Sequence, residues 1–259
     1  MSDLIKLDKR DHVAVITIAN PPANTWTLDS LNHLSTLVDD LNEDPDIYAL
    51  VMTGEGEKFF SAGADLKTFA DGDVGNANAM AQAFGRAFDA LTRFRGVSIA
   101  AINGYAMGGG LECALACDLR IAEEQAQMAL PEAGVGLLPC AGGTQNLPWL
   151  VGEGWAKRMI LCGERVKADK ALEIGLVEEV VPTGESFDKA MALAHMSEKQ
   201  SPSSVARCKT LIMSARDGRS HADGWRLERE LFVDLFSTED QREGVNAFLE
   251  KRAPQWKNR

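Results

Sequence analysis

The chain has 259 residues, 45% of them hydrophobic, and a formal net charge of −11 from 27 Lys+Arg against 38 Asp+Glu. That is enough to bury a full core in one large α/β domain, alone or with a small appendage. The acidic balance, without a run of five or more basic residues, argues against nucleic acid as the main ligand.

The first ten residues are charged throughout and carry no apolar signal region, and no apolar stretch reaches the ~18 residues of a membrane helix. A soluble, unexported, cytoplasmic protein with no membrane partner is expected. Residues 13–18 and 49–53 have strand composition, and residues 28–41 between them have helical periodicity, a β-α-β opening. A helical stretch from about 77 to 94 precedes a third strand at 98–102. A fourth strand, 118–122, follows a short glycine-led helix. Strands alternating with helices imply a mostly parallel sheet with right-handed crossovers.

Beyond Pro182 strand signals vanish, which divides the chain into a core, 1–182, and a helical region, 183–259. Ser201-Pro202 supplies an N-cap and a first-turn proline, while Thr238 and Gln241 can form a capping box ahead of Val245, Phe248 and Leu249. Cys113, Cys117, Cys140, Cys162 and Cys208 form no C-x-x-C pair, and an odd count in a chain this size is no disulfide framework. Reduced thiols are expected, with Cys113 and Cys117 as buried apolar groups rather than metal ligands.

Two glutamates stand beside glycine-rich segments, Glu112 in Gly108-Gly109-Gly110-Leu111-Glu112 and Glu132 in Pro131-Glu132-Ala133-Gly134. An apolar run such as Ala129-Leu130-Pro131-Glu132 strips a carboxylate of hydration and raises its pKa, which suits proton transfer near neutral pH. On a helix starting near Gly108, Gly109 and Glu112 share a face, and the Gly109 N–H has no intrahelical acceptor. The small-residue segment Phe59-Phe60-Ser61-Ala62-Gly63-Ala64-Asp65-Leu66 could present a second donor. Two N–H groups converging on one carbonyl oxygen would stabilise an enolate. Taken singly, each feature has an ordinary explanation: glycines as turns, a glutamate as a solvated charge, Asp65 as a cap. Their joint order and spacing favour a site.

Phe60-Ser61-Ala62-Gly63-Ala64-Asp65-Leu66-Lys67, the stretch from Ala101 through Gly108-Gly109-Gly110-Leu111-Glu112, and Pro131-Glu132 through Gly142-Gly143-Thr144-Gln145 resemble the enoyl-CoA hydratase/isomerase (crotonase) superfamily. The resemblance runs from Val13 to Lys251. It implies an α/β spiral of β-β-α turns closed by C-terminal helices, assembled as a homotrimer or a homohexamer of paired trimers. It also assigns roles: Ala64 and Gly109 as the oxyanion-hole donors and Glu112 and Glu132 as the catalytic glutamates. Ala62, Asp65 and Leu66 match the loop that reads the CoA adenine, and Phe232 and Lys251 match positions that contact CoA from an adjacent subunit.

The chain departs from the family's usual pattern at Cys140, where glycine is common, at Asn146, where arginine is common, and at Leu130, where some members are polar. The activity implied is reversible syn hydration of a trans-2-enoyl-CoA, with no cofactor or metal beyond the CoA of the substrate. A Δ3,Δ2-enoyl-CoA isomerase is the same-fold alternative, for which one glutamate at the Glu132 position commonly suffices, and dehalogenase- or hydrolase-like chemistry also suits the fold. A noncatalytic CoA-binding subunit is disfavoured by the presence of both glutamates. Histidines 12, 33, 195 and 221 are scattered and are expected at the surface or in packing.

Overall fold

The computed structural model describes residues 4–259. The chain opens on an antiparallel pair, β1 (Ile5–Arg10) and β2 (Val13–Ile18). α1 (Leu28–Glu43) starts on a capping box between Thr27 and Ser30, and buries Leu31, Leu34, Val38 and Leu41 along one face. β3 (Ala49–Gly54) then returns parallel to β2.

From β3 onward one unit recurs. β3 and β4 (Phe59–Ser61) lead to α2 (Val74–Arg93). β5 (Val97–Ile102) and β6 (Tyr105–Met107) lead to α3 (Gly109–Ala116), and β7 (Leu119–Glu123) and β8 (Gln127–Ala129) lead to α4 (Gly143–Leu161). β9 (Val166–Lys167), α5 (Ala168–Glu173) and β10 (Glu179–Val181) complete the strands. The first strand of each unit enters a large sheet ordered β1-β2-β3-β5-β7-β10, and the second enters a small sheet ordered β4-β6-β8-β9. The result is the spiral of β-β-α turns expected from the family resemblance.

β2, β3, β5 and β7 are apolar nearly throughout because both faces of the large sheet are covered. Ala14, Ile16, Leu50 and Met52 point into the main core, while Val13, Val15, Val51 and Ile99 point the other way. That outer face is covered by α6 (Ser186–Ser197) through Ala190, Met191 and Ala194. α7 (Pro202–Arg216), α8 (His221–Asp234) and α9 (Glu239–Glu250) follow. α8 has no buried residue, and Phe232, Phe236, Phe248 and Leu249 are exposed. Among the described residues no helix is long and apolar enough to cross a membrane.

Local chemistry explains several differences from the sequence reading. β1 carries a weak strand signal, because its alternation stops after Ile5 and Leu7 and all but Ile5 of its residues are exposed; pairing with β2 holds it. α2 begins at Val74 because the Asp73 side chain accepts from Asn76 N–H at 2.6 Å. Ser201 caps α7 with Pro202 in its first turn, as expected. At α9 Thr238 accepts from Gln241 N–H at 3.1 Å, the half of the expected box that forms.

Candidate active site

The parallel strands β4, β6 and β8 all end at one edge of the small sheet, so the segments after them are brought side by side. After β4, Trp26 N–H donates to Gly63 O at 2.8 Å and Asp65 N–H donates to Trp26 O at 3.2 Å, a parallel bridge centred on Ala64. In such a bridge the central residue's own N–H faces away from the partner strand. After β6, Gly108 adopts φ 53, ψ −126, a conformation suited to glycine, and α3 begins at Gly109. The Gly109 N–H lies in the first turn without an intrahelical acceptor. A Cβ on Gly63 would lie 3.1 Å from the Gly109 nitrogen, so the two donor segments are in contact.

Gly110 has a different reason to lack a side chain: its Cβ would meet Ser61 O at 2.1 Å. This close approach seats α3 on the end of β4 and projects Glu112 from the same helix. Glu112 is only 2% exposed, and its Oε1 accepts from Ala141 N–H and Gly143 N–H, each at 2.8 Å. Those donors stand at the start of α4, whose positive end favours a carboxylate. Burial raises the Glu112 pKa, against the backbone N–H groups of Gly143, Ala141 and Cys140, which lower it.

Glu132 follows β8 on a short 3₁₀ turn, Glu132–Val135. Its Oε1 packs against Gly108, where a Cβ would come within 2.9 Å. No protein group donates to its buried Oε2 among the described residues. Burial, and then the neighbouring charge of Glu112, push the Glu132 carboxyl up to about 7. One carboxylate is thus fixed by backbone donors, and the other has an oxygen free for proton exchange close to neutral pH.

Both carboxylates, Ala64 and Gly109 line one pocket of about 720 Å³. Ala62 and Leu66 line it as well. Asp65 is adjacent but outside the lining, and its side chain accepts from Lys67 N–H at 3.1 Å, capping the turn that follows. Phe232 lies on α8, 61% exposed and packed edge-on against Phe236, and Lys251 takes a left-handed conformation at the end of α9. Neither reaches the pocket of its own chain.

Four contributing residues were not singled out from the sequence. Ala141 and Gly143 fix Glu112, and the glycine pair Gly142-Gly143 was the available signal. Phe84 of α2 packs over Gly109, 2.8 Å from where its Cβ would be. Arg165, just before β9, lines the pocket and is the one cation to do so among the described residues.

The pocket thus sets two backbone segments, at Ala64 and Gly109, beside two carboxylates, an arrangement able to hold a carbonyl oxygen next to acid–base groups. The chain belongs to the enoyl-CoA hydratase/isomerase family, whose model matches residues 8–259. It resembles the solved structure of DspI from Pseudomonas aeruginosa, with TM-score 0.96 and 65% identity over 98% of this chain and 97% of that one. It is 38% identical to the short-chain-enoyl-CoA hydratase of Clostridium acetobutylicum over 95% of this chain and 94% of that protein. It is 37% identical to the 2,3-dehydroadipyl-CoA hydratase of Escherichia coli over 100% of both chains.

Proposed function

We propose that the protein is an enoyl-CoA hydratase, adding water reversibly and syn across the double bond of a trans-2-enoyl-CoA to give a 3-hydroxyacyl-CoA. The observation that carries this is the pairing of Glu112, held by two backbone donors, with Glu132, whose Oε2 has no partner among the described residues, in the pocket that Ala64 and Gly109 also line. The thioester oxygen sits between the Ala64 and Gly109 N–H groups, which stabilise the enolate as charge develops. Glu112 takes a proton from water as its oxygen bonds to C3, and Glu132 delivers a proton to C2. A carboxyl near 7 can both give and recover that proton at neutral pH. The reaction needs no cofactor beyond the CoA carried by the substrate.

Retention of Glu112 separates this reading from an isomerase, which has no water to activate. The experiment is to supply trans-2- and trans-3-enoyl-CoA separately and follow both products. Hydration should dominate; double-bond migration without hydration would favour the isomerase.

The reading extends to assembly as a homotrimer or a pair of trimers, in which Ala62, Asp65 and Leu66 hold the adenine and Phe232 and Lys251 of a neighbouring subunit meet the nucleotide end of CoA. The exposed apolar side chains of α8 and α9 support it, since they need a surface to cover them. Unpaired cysteines suit a reducing compartment, and the proposal places the enzyme in the cytoplasm.

A further inference from the structure

The named hydratases act on thioesters with different acyl parts, so the far end of the acyl chain must be read by residues particular to each protein. In this chain Cys140 lines the catalytic pocket and also a second crevice of about 540 Å³, and among the described residues it is the one common to both linings. α2 runs along both spaces, with Phe84 lining the catalytic pocket and Phe88 the second crevice. An acyl chain whose C2 and C3 lie beside Glu112 and Glu132 would pass Cys140 to continue into the second crevice.

That crevice is polar where an aliphatic tail would call for apolar walls. Its charged groups are Arg86, Asp89 and Arg93 of α2 with Arg216 and Asp217 at the end of α7. Asp89 and Arg93 are paired with each other at 3.1 Å. Arg86 donates to the amide oxygen of Asn32 at 3.1 Å and has no carboxylate partner among the described residues. Arg216, half-buried, has neither a hydrogen bond nor an ion pair there. Asp217 is exposed and, among the described residues, is the only carboxylate of the lining left to offset the guanidinium groups of Arg86 and Arg216. A planar guanidinium with unused donors matches a carboxylate in shape and charge.

We propose that the second crevice is the subsite for the far end of the acyl chain, and that it selects enoyl-CoA thioesters ending in a carboxylate, held by Arg86 and Arg216. The proposal rests on the acyl-thioester reading above. It is tested with three trans-2-enoyl-CoA substrates: crotonyl-CoA, a longer methyl-terminated thioester, and one of the same length ending in a carboxylate. The wild type should prefer the carboxylated thioester. The doubly substituted Arg86→Gln, Arg216→Gln protein should lose about tenfold or more in kcat/KM for it, mainly through KM, because charge-assisted bonds are lost. Its rate with crotonyl-CoA and its melting temperature should stay near wild type. A wild type that prefers the methyl-terminated chain, or a double variant that slows both long substrates equally, overturns the proposal. Calorimetric binding of the saturated carboxylated and methyl-terminated thioesters separates the two readings. Preferential binding of the carboxylated form, abolished in the double variant, supports the subsite even if crotonyl-CoA is not hydrated, an outcome that would overturn the hydratase reading alone.

Discussion

Glu112→Gln is the perturbation whose consequences the site defines most fully. The carboxamide keeps the size of the side chain and an oxygen that can accept from Ala141 and Gly143 N–H, now at 2.8 Å to a charged group. Those bonds become neutral and roughly half as strong, so the loop holds while the base is lost. General acid–base assistance is worth ~100–10,000-fold, or about 3–5 kcal/mol at 1.36 kcal/mol per tenfold. A second effect falls on Glu132. Burial alone still holds its carboxyl above the ordinary 4.5, but without the Glu112 charge its pKa should drop below the wild-type value of about 7. Initial rates of hydration, with an NMR titration of the ¹³C-labelled Glu132 carboxyl, read both consequences. The expected result is a large fall in kcat with little change in KM, and a lower Glu132 midpoint. Near-normal kcat in the folded variant would refute the assignment of Glu112 as base, and an unmoved midpoint would refute the coupling of the two carboxylates.

Gly109→Val should abolish turnover, a loss of ~100-fold or more, because even its Cβ would lie 2.8 Å from the Phe84 ring and the branches would crowd the donor; circular dichroism should show the fold retained, and normal turnover would mean the oxyanion position is wrong. Glu132→Gln should raise stability at pH 8. The folded-state pKa of about 7 lies above the ordinary 4.5, so the native protein binds the extra proton between these values and loses stability as pH rises through them. Thermal melts at pH 4 and pH 8 check this: the variant's advantage should be present at pH 8 and absent at pH 4, and a variant less stable at pH 8 would contradict it. Lys251→Ala should weaken CoA-ester binding modestly with little change in kcat, and sedimentation should show a trimer or hexamer; a fully active monomer would dispose of the shared site.

The central strands were legible because burial on both faces makes them continuous apolar runs, as in β2 and β3. The three-residue strands β4, β6 and β8 are too short to carry a period, so the small sheet that aligns the site was not visible in the residue pattern. Glu112 and Glu132 stood out through their glycine and apolar neighbours. What fixes Glu112 did not, because Ala141 and Gly143 reach it only through tertiary packing at the start of α4. The same holds for the second crevice, where α2, Cys140 and the end of α7 converge from distant parts of the sequence. α4 itself hid behind Pro148 and a kink at Gly152, where φ is 76, both of which interrupt helical periodicity.

The proposed function requires that two glutamates and two backbone donors together add water to an enoyl thioester. Incubating the wild type, Glu112→Gln and Glu132→Gln with crotonyl-CoA in D₂O, and reading the product by NMR, tests it most directly. The wild type should yield 3-hydroxybutyryl-CoA with a single deuteron at C2, and both variants should form it at least ~100-fold more slowly. Unchanged crotonyl-CoA with the folded wild type, or either variant matching its rate, would contradict the claim.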